Sequence, residues 1–178
     1  MRTSILEKHT FFETSIMKVV LISELFRNKS SKFFSSLDEW LLDNEKMLKQ
    51  LGYTEASEFS ILQNQISSLK LKDIQHKKRQ QFLLGSECLE KAHLILIQLQ
   101  EPIKTKIAQG EETIKQILTV IKEVPDFAKN KKEHFDTYIK RLWSKLKTDD
   151  QFKAICMQVR TILPEIDVLR IIADEIEL

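Results

Sequence analysis

Apolar side chains recur along this chain at steps of three and four, the spacing that places them on one side of an α-helix. The first run covers residues 3 to 28. Ile5, Phe12, Ile16, Val19, Val20, Ser23 and Phe26 form its stripe, and Met17, Leu21, Ile22 and Leu25 widen it until little of the circumference is polar. Such a helix is expected to lie centrally in a bundle or beneath a partner. Asn28, Lys29, Ser30 and Ser31 read as its end. A second run, Leu37, Trp40, Leu41, Leu48 and Leu51, is predicted to open at a capping box between Ser36 and Glu39. Gly52 is predicted to close it in a left-handed conformation.

Thr54 is the predicted N-cap of a third helix, in which Phe59, Leu62, Ile66 and Leu69 make a coiled-coil-like seam. The seam fades over Lys72 to Gln81, which reads either as an exposed stretch of helix projecting beyond the core or as a loop. It resumes at Phe82, Leu83 and Leu84. Gly85-Ser86 fits a turn between helices or the interior of one helix. Pro102 fits a kink or the first turn of a new helix, because it donates no backbone hydrogen bond and clashes one turn back. Ile103, Ile107, Ile114, Ile117, Leu118, Ile121 and Val124 continue the stripe. Val124-Pro125 is a boundary, since the residue before proline is pushed out of helical angles. Asp126 is expected to cap the helix of Phe127, Phe135, Tyr138, Ile139, Leu142 and Leu146. Thr148 and Gln151 suggest a further capping box ahead of Phe152, Ile155, Val159 and Ile162. Pro164 is expected to start the last helix, with Ile166, Leu169, Ile172 and Ile176 apolar.

The pattern predicts an all-α fold: one domain over residues 1–178, built as an elongated, mostly antiparallel helical bundle with long helices and coiled-coil-like packing. A helical hairpin around 55–124 is expected to project from it. Composition supports this. There are only three glycines and three prolines in 178 residues, too few for the tight turns of a β or α/β domain. With 42% apolar and 30% charged residues, the chain is globular rather than disordered.

The apolar run Ile16 to Phe26 is broken by Lys18 and Glu24 and is shorter than the roughly 20 residues a membrane span requires. No clear signal peptide stands at the N-terminus. The expected location is therefore cytoplasmic, or exported without an N-terminal signal peptide. Cys88 and Cys156 show no CxxC spacing and are expected to be buried thiols in a reducing compartment.

Two acid-x-x-His pairs, Asp73 with His76 and Glu90 with His93, could each present two ligands on one helix face. Di-iron helical bundles use Glu-x-x-His in this way. Here one acid is Asp, no further inward carboxylates are evident, and Lys77, Lys78 and Arg79 follow His76. No metal and no cofactor are expected. Nucleophile elbows, P-loops, dinucleotide fingerprints and zinc-protease motifs are missing from the sequence, so an enzyme is not expected.

Two basic clusters remain. Lys70, Lys72, Lys77, Lys78 and Arg79 lie within 70–79. Lys129, Lys131, Lys132, Lys140, Arg141, Lys145 and Lys147 lie within 129–147, interleaved with Phe135, Tyr138 and Trp143. Cations beside aromatics can neutralise phosphates and stack on bases, so a nucleic-acid-binding helical protein is the alternative reading. Against it, Glu133 and Asp136 sit among the lysines and the net charge is only +2. The C-terminus is acidic, with Glu165, Asp167, Asp174, Glu175 and Glu177. This segregation suits helix pairing within the bundle, pairing between chains, or simply a solvated face. Trp40 and Trp143 fall at apolar positions; either becomes an interface residue if exposed beside other apolar groups.

The expected function is a non-enzymatic protein–protein interaction module: an adaptor, chaperone-like or effector-type bundle presenting helix faces to a protein partner or a second copy. Candidate contact residues are Lys72, Lys77, Lys78, Arg79, Trp40 and Trp143.

Overall fold

The computed structural model describes residues 3–70, 78–122, 124–130 and 132–177, and every regular element among them is helical. Seven α-helices follow in order: α1 (Ile5–Arg27), α2 (Phe33–Leu51), α3 (Ala56–Lys70), α4 (Lys78–Ile121), α5 (Phe135–Thr148), α6 (Lys153–Ile162) and α7 (Glu165–Glu177). A 3₁₀ turn, Pro125–Phe127, lies between α4 and α5. None of the helices among the described residues is long and apolar enough to cross a membrane. Contacts gather into two compact units. The first unit is Thr10–Gln100; the second joins Met1–His9 to Glu101–Leu178.

In the first unit α1 buries Phe12, Ser15, Val19 and Ile22. The predicted stripe is therefore rotated: Ile16, Ser23 and Phe26 are half-buried, and Val20 is exposed. An α1 that is apolar on most sides contains no periodic signal to choose its inner face. Hydrogen bonding chooses it instead. The Ser15 hydroxyl donates to Asn44 Oδ1, Trp40 Nε1 donates to the Ser15 carbonyl at 3.0 Å, and Asn44 Nδ2 donates to the Trp40 carbonyl at 2.7 Å. Buried polar groups are tolerable when they satisfy one another in this way.

Several helix starts differ from those predicted. α2 begins at Phe33, without a side-chain cap, and Ser36 lies inside it. Phe33 is fully buried and contacts Phe26, Phe34 and Phe82, which draws the helix start forward. At the start of α3 the Thr54 carbonyl accepts from the Ser57 amide and hydroxyl, while the Thr54 hydroxyl donates to the Glu55 carboxylate at 3.3 Å. Gly52 ends α2 as expected, with φ 78°. At Gly85 α4 continues without a turn. A Cβ built there would lie 2.7 Å from the Phe33 ring, so a side chain is excluded by the closeness of α2. Between α2 and α3, Glu45 accepts from Lys49 Nζ at 2.5 Å and from the Ser60 hydroxyl. These bonds hold its carboxyl below the ordinary range.

The second unit packs α5, α6 and α7 with the later part of α4. Leu142, Trp143, Leu146, Val159, Leu163 and Val168 form its centre together with Ile114 and Ile117. α4 is one helix through Pro102, so that residue does not open a new helix. Gly110 is buried against the Leu163 side chain and leaves no room for a methyl group. α4 ends at Ile121, and Val124 is extended ahead of Pro125, a boundary that the sequence predicts. Asp126 then sits in the 3₁₀ turn rather than capping the next helix, and α5 begins only at Phe135. The Thr148 hydroxyl bonds back to the Lys145 carbonyl at 2.9 Å, while Asp149 Oδ1 accepts from the Gln151 amide at 2.9 Å. Asp149 thus closes a turn ahead of α6, whose N-cap position is Phe152 and has no side-chain cap. Pro164 precedes α7 and its carbonyl accepts from the amides of Asp167 and Val168.

Asp167 is the main departure from the sequence reading. It is fully buried, not part of a solvated acidic face. Its carboxylate accepts from the Ser4 hydroxyl at 2.6 Å, the Ile5 amide at 2.6 Å and the Leu6 amide at 3.4 Å. Ser4 Oγ in turn accepts from the Glu7 amide at 3.0 Å. A helix N-terminus has four amides without intrahelical acceptors and a partial positive charge. Asp167 and Ser4 together satisfy three of those in α1.

Candidate interaction surface

The structure separates the six candidate contact residues. Trp40 is 3% exposed and Trp143 is 1% exposed, so both are core residues and neither meets the condition for an interface residue. Trp40 is held by its bond to Ser15; Trp143 lies at the centre of the second unit with Lys147 Nζ 5.9 Å from its ring centroid. Lys72 and Lys77 fall outside the described residues, as does the side chain of Lys78. Arg79 is exposed near the start of α4. Of the acid-His pairs, Asp73 and His76 lie outside the described residues; Glu90 is exposed and His93 half-buried on α4. No group of three metal-capable side chains occurs among the described residues.

The 129–147 cluster is bound up with its own acids. Arg141 makes two bonds to Glu133, at 2.8 and 2.9 Å, and one to the Ala128 carbonyl at 2.9 Å. That pairing holds the Glu133 carboxyl below the ordinary range and raises Arg141 further. Lys145 Nζ donates to the Asp126 carbonyl at 2.8 Å and reaches its carboxylate at 3.3 Å, 4.8 Å above the Phe127 ring. Lys147 pairs with Glu165 at 2.9 Å. Lys129 lies 5.5 Å over the Phe135 ring. Lys131 is outside the described residues, and Lys132 and Lys140 are exposed. Acidic α7 is tied down likewise: Glu175 pairs with Lys115 at 3.2 Å and Arg170 with Glu7 at 3.7 Å.

Cys88 and Cys156 are free, buried thiols. Burial pushes both upward, Cys156 to about 11, so at neutral pH neither is the thiolate that nucleophilic chemistry requires.

The six candidate contact residues do not include the outer face of α1, although the apolar excess of that helix pointed to it. Met17 is 70% exposed, Leu21 63% and Val20 61%. Val20 and Leu21 stand three and four residues after Met17, hence on its side of the helix. Beside Leu21 a hollow of about 270 Å³ is lined by Ile22, Leu25 and Trp40, with Lys18, Glu39 and Asp43 among its polar residues. The sequence signal was present as an excess of apolar residues around α1. Only the rotation of the helix decided which of them stay outside.

A second concavity in the first unit, about 710 Å³, lies between the end of α1 and the beginning of α4. Phe26, Phe82 and Leu83 line it together with Arg27, Lys29 and Arg79. No family model, curated protein or solved structure matches the chain.

Proposed function

We propose that this chain is a protein–protein interaction module rather than an enzyme, and that its first unit offers the outer face of α1 to an amphipathic helix of a protein partner. The observation that carries this reading is the run Met17, Val20 and Leu21, more than half exposed on one face and continuous with an apolar hollow. Single exposed apolar residues are ordinary on protein surfaces. A contiguous set rimmed by charges is the usual mark of a contact site. Lys18 on one side and Glu39 and Asp43 on the other supply both signs of charge for setting the register of a bound helix.

The nucleic-acid alternative is less well supported. Three of the cations it would use, Arg141, Lys145 and Lys147, already hold carboxylates.

The test places a photo-crosslinking residue at Val20 in the full-length chain. A discrete protein adduct is expected, lost in the Met17→Ser/Leu21→Ser background while helix content is unchanged. A strictly monomeric protein by light scattering, giving no adduct, would overturn the reading.

A further inference from the structure

We infer that the cleft between the end of α1 and the beginning of α4 seats an acidic peptide segment of a protein partner, anchored by one large apolar side chain. Partner class is shared with the proposed function, but the surface is a different one, and the two can fail separately.

Three features specify the occupant. The first is charge. Arg27, Lys29 and Arg79 surround the cleft, and none of the three has an ion-pair partner among the described residues. Like charges converging on one concavity repel, and an anionic ligand converts that repulsion into attraction. The second is the shape of the apolar floor. Phe82 is stacked on Phe33 (5.5 Å, 17°) and meets Phe34 edge-on (5.2 Å, 70°). Its ring is committed to aromatic neighbours, so the floor is poorly suited to stacking nucleic-acid bases, which need an open ring face. Together with Phe26 and Leu83 it forms a hollow of the size that accepts a bulky side chain.

The third feature is Lys29. The amides of Lys29 and Ser30 bond to the carbonyls of Phe26 and Leu25, the paired bonds of a Schellman ending. The left-handed position in that motif belongs by preference to glycine, yet here it is a lysine with φ 50°. Asn28, which tolerates that conformation better, stands one residue earlier. The strain fixes a cation at the rim of the cleft, and backbone strain of this kind tends to gather at binding sites.

The experiment uses the full-length chain and a fluorescein-labelled peptide, Asp-Glu-Phe-Asp-Asp-Leu, followed by anisotropy. Saturable binding is expected, weakened about tenfold by Arg79→Glu and lost when the peptide phenylalanine is replaced by serine. Lys29→Gly is expected to raise the thermal midpoint while weakening the peptide about threefold, a pairing of effects that loss of folding cannot produce. The Met17→Ser/Leu21→Ser variant should bind the peptide as the parent does, which separates this cleft from the outer face of α1. Absence of saturable binding, indifference to Arg79→Glu, or equal affinity for the serine peptide would each refute the inference. Competition by oligouridylate would reassign the cleft to single-stranded nucleic acid.

Discussion

Two cationic regions of this protein look alike in sequence and differ in structure. In the second unit Arg141, Lys145 and Lys147 each hold a carboxylate, and each lies near an aromatic ring. In the first unit Arg27, Lys29 and Arg79 border an aromatic cleft and hold no carboxylate among the described residues. The first arrangement strengthens the fold locally, and its attraction for an outside anion is correspondingly low. The second leaves charge available for recognition. A count of lysines and arginines cannot separate the two cases, because the difference lies in where Glu133, Asp126 and Glu165 end up.

The largest test of this contrast is Asp167. If the second unit commits its charges to its own structure, Asp167→Ala, which leaves the Ile5 and Leu6 amides without their acceptor, should cost about 3 kcal/mol in urea unfolding. A loss below about 1 kcal/mol would mean that water replaces the carboxylate and that the internal charge is dispensable. Between α1 and α2 the first unit uses a neutral network instead. Asn44→Ala removes the acceptor of the buried Ser15 hydroxyl and should cost about 2 kcal/mol, without altering the salt dependence of stability. Strong salt dependence of that loss would blur the distinction.

Lys29→Gly acts in the opposite sense. Relief of the left-handed lysine should stabilise the chain by about 1 kcal/mol, measured as a rise in the denaturant midpoint. A destabilisation would show that Lys29 is structural, like the cations of the second unit. Glu133→Gln gives the smallest effect. The Glu133 carboxyl is held below its unfolded value of 4.5 by the Arg141 hydrogen bond. Its contribution is therefore present above that value and is lost as pH falls through the lower, folded one. The parent should lose stability more steeply than the variant below about pH 4.5; parallel curves in a pH series of thermal unfolding would show that the pairing contributes nothing.

Much of the fold was legible. The three-and-four spacing located the helices, Gly52 and Pro125 punctuated them, and Pro164 announced α7. Fine detail failed where a local signal competed with a distant contact. Ser36 offers a good cap, yet α2 starts at Phe33 because that ring is buried among three other phenylalanines. Gly85, which fitted either a turn or the interior of a helix, marks a close approach to Phe33, and Gly110 marks one to Leu163. Of the candidate surface, Arg79 was visible in the sequence. Arg27 and Lys29 were not, because they became relevant only beside Phe82.

Sequence alone determined that this chain is helical, since periodic apolar spacing and scarce glycine act through neighbours a few residues away. The tertiary structure decided which side of α1 turned inward, which charges found partners and which remained free. Those outcomes depend on groups far apart in the chain, such as Ser15 with Asn44 and Ser4 with Asp167. A hydrogen bond or ion pair of that range leaves no periodic trace in the residues that make it.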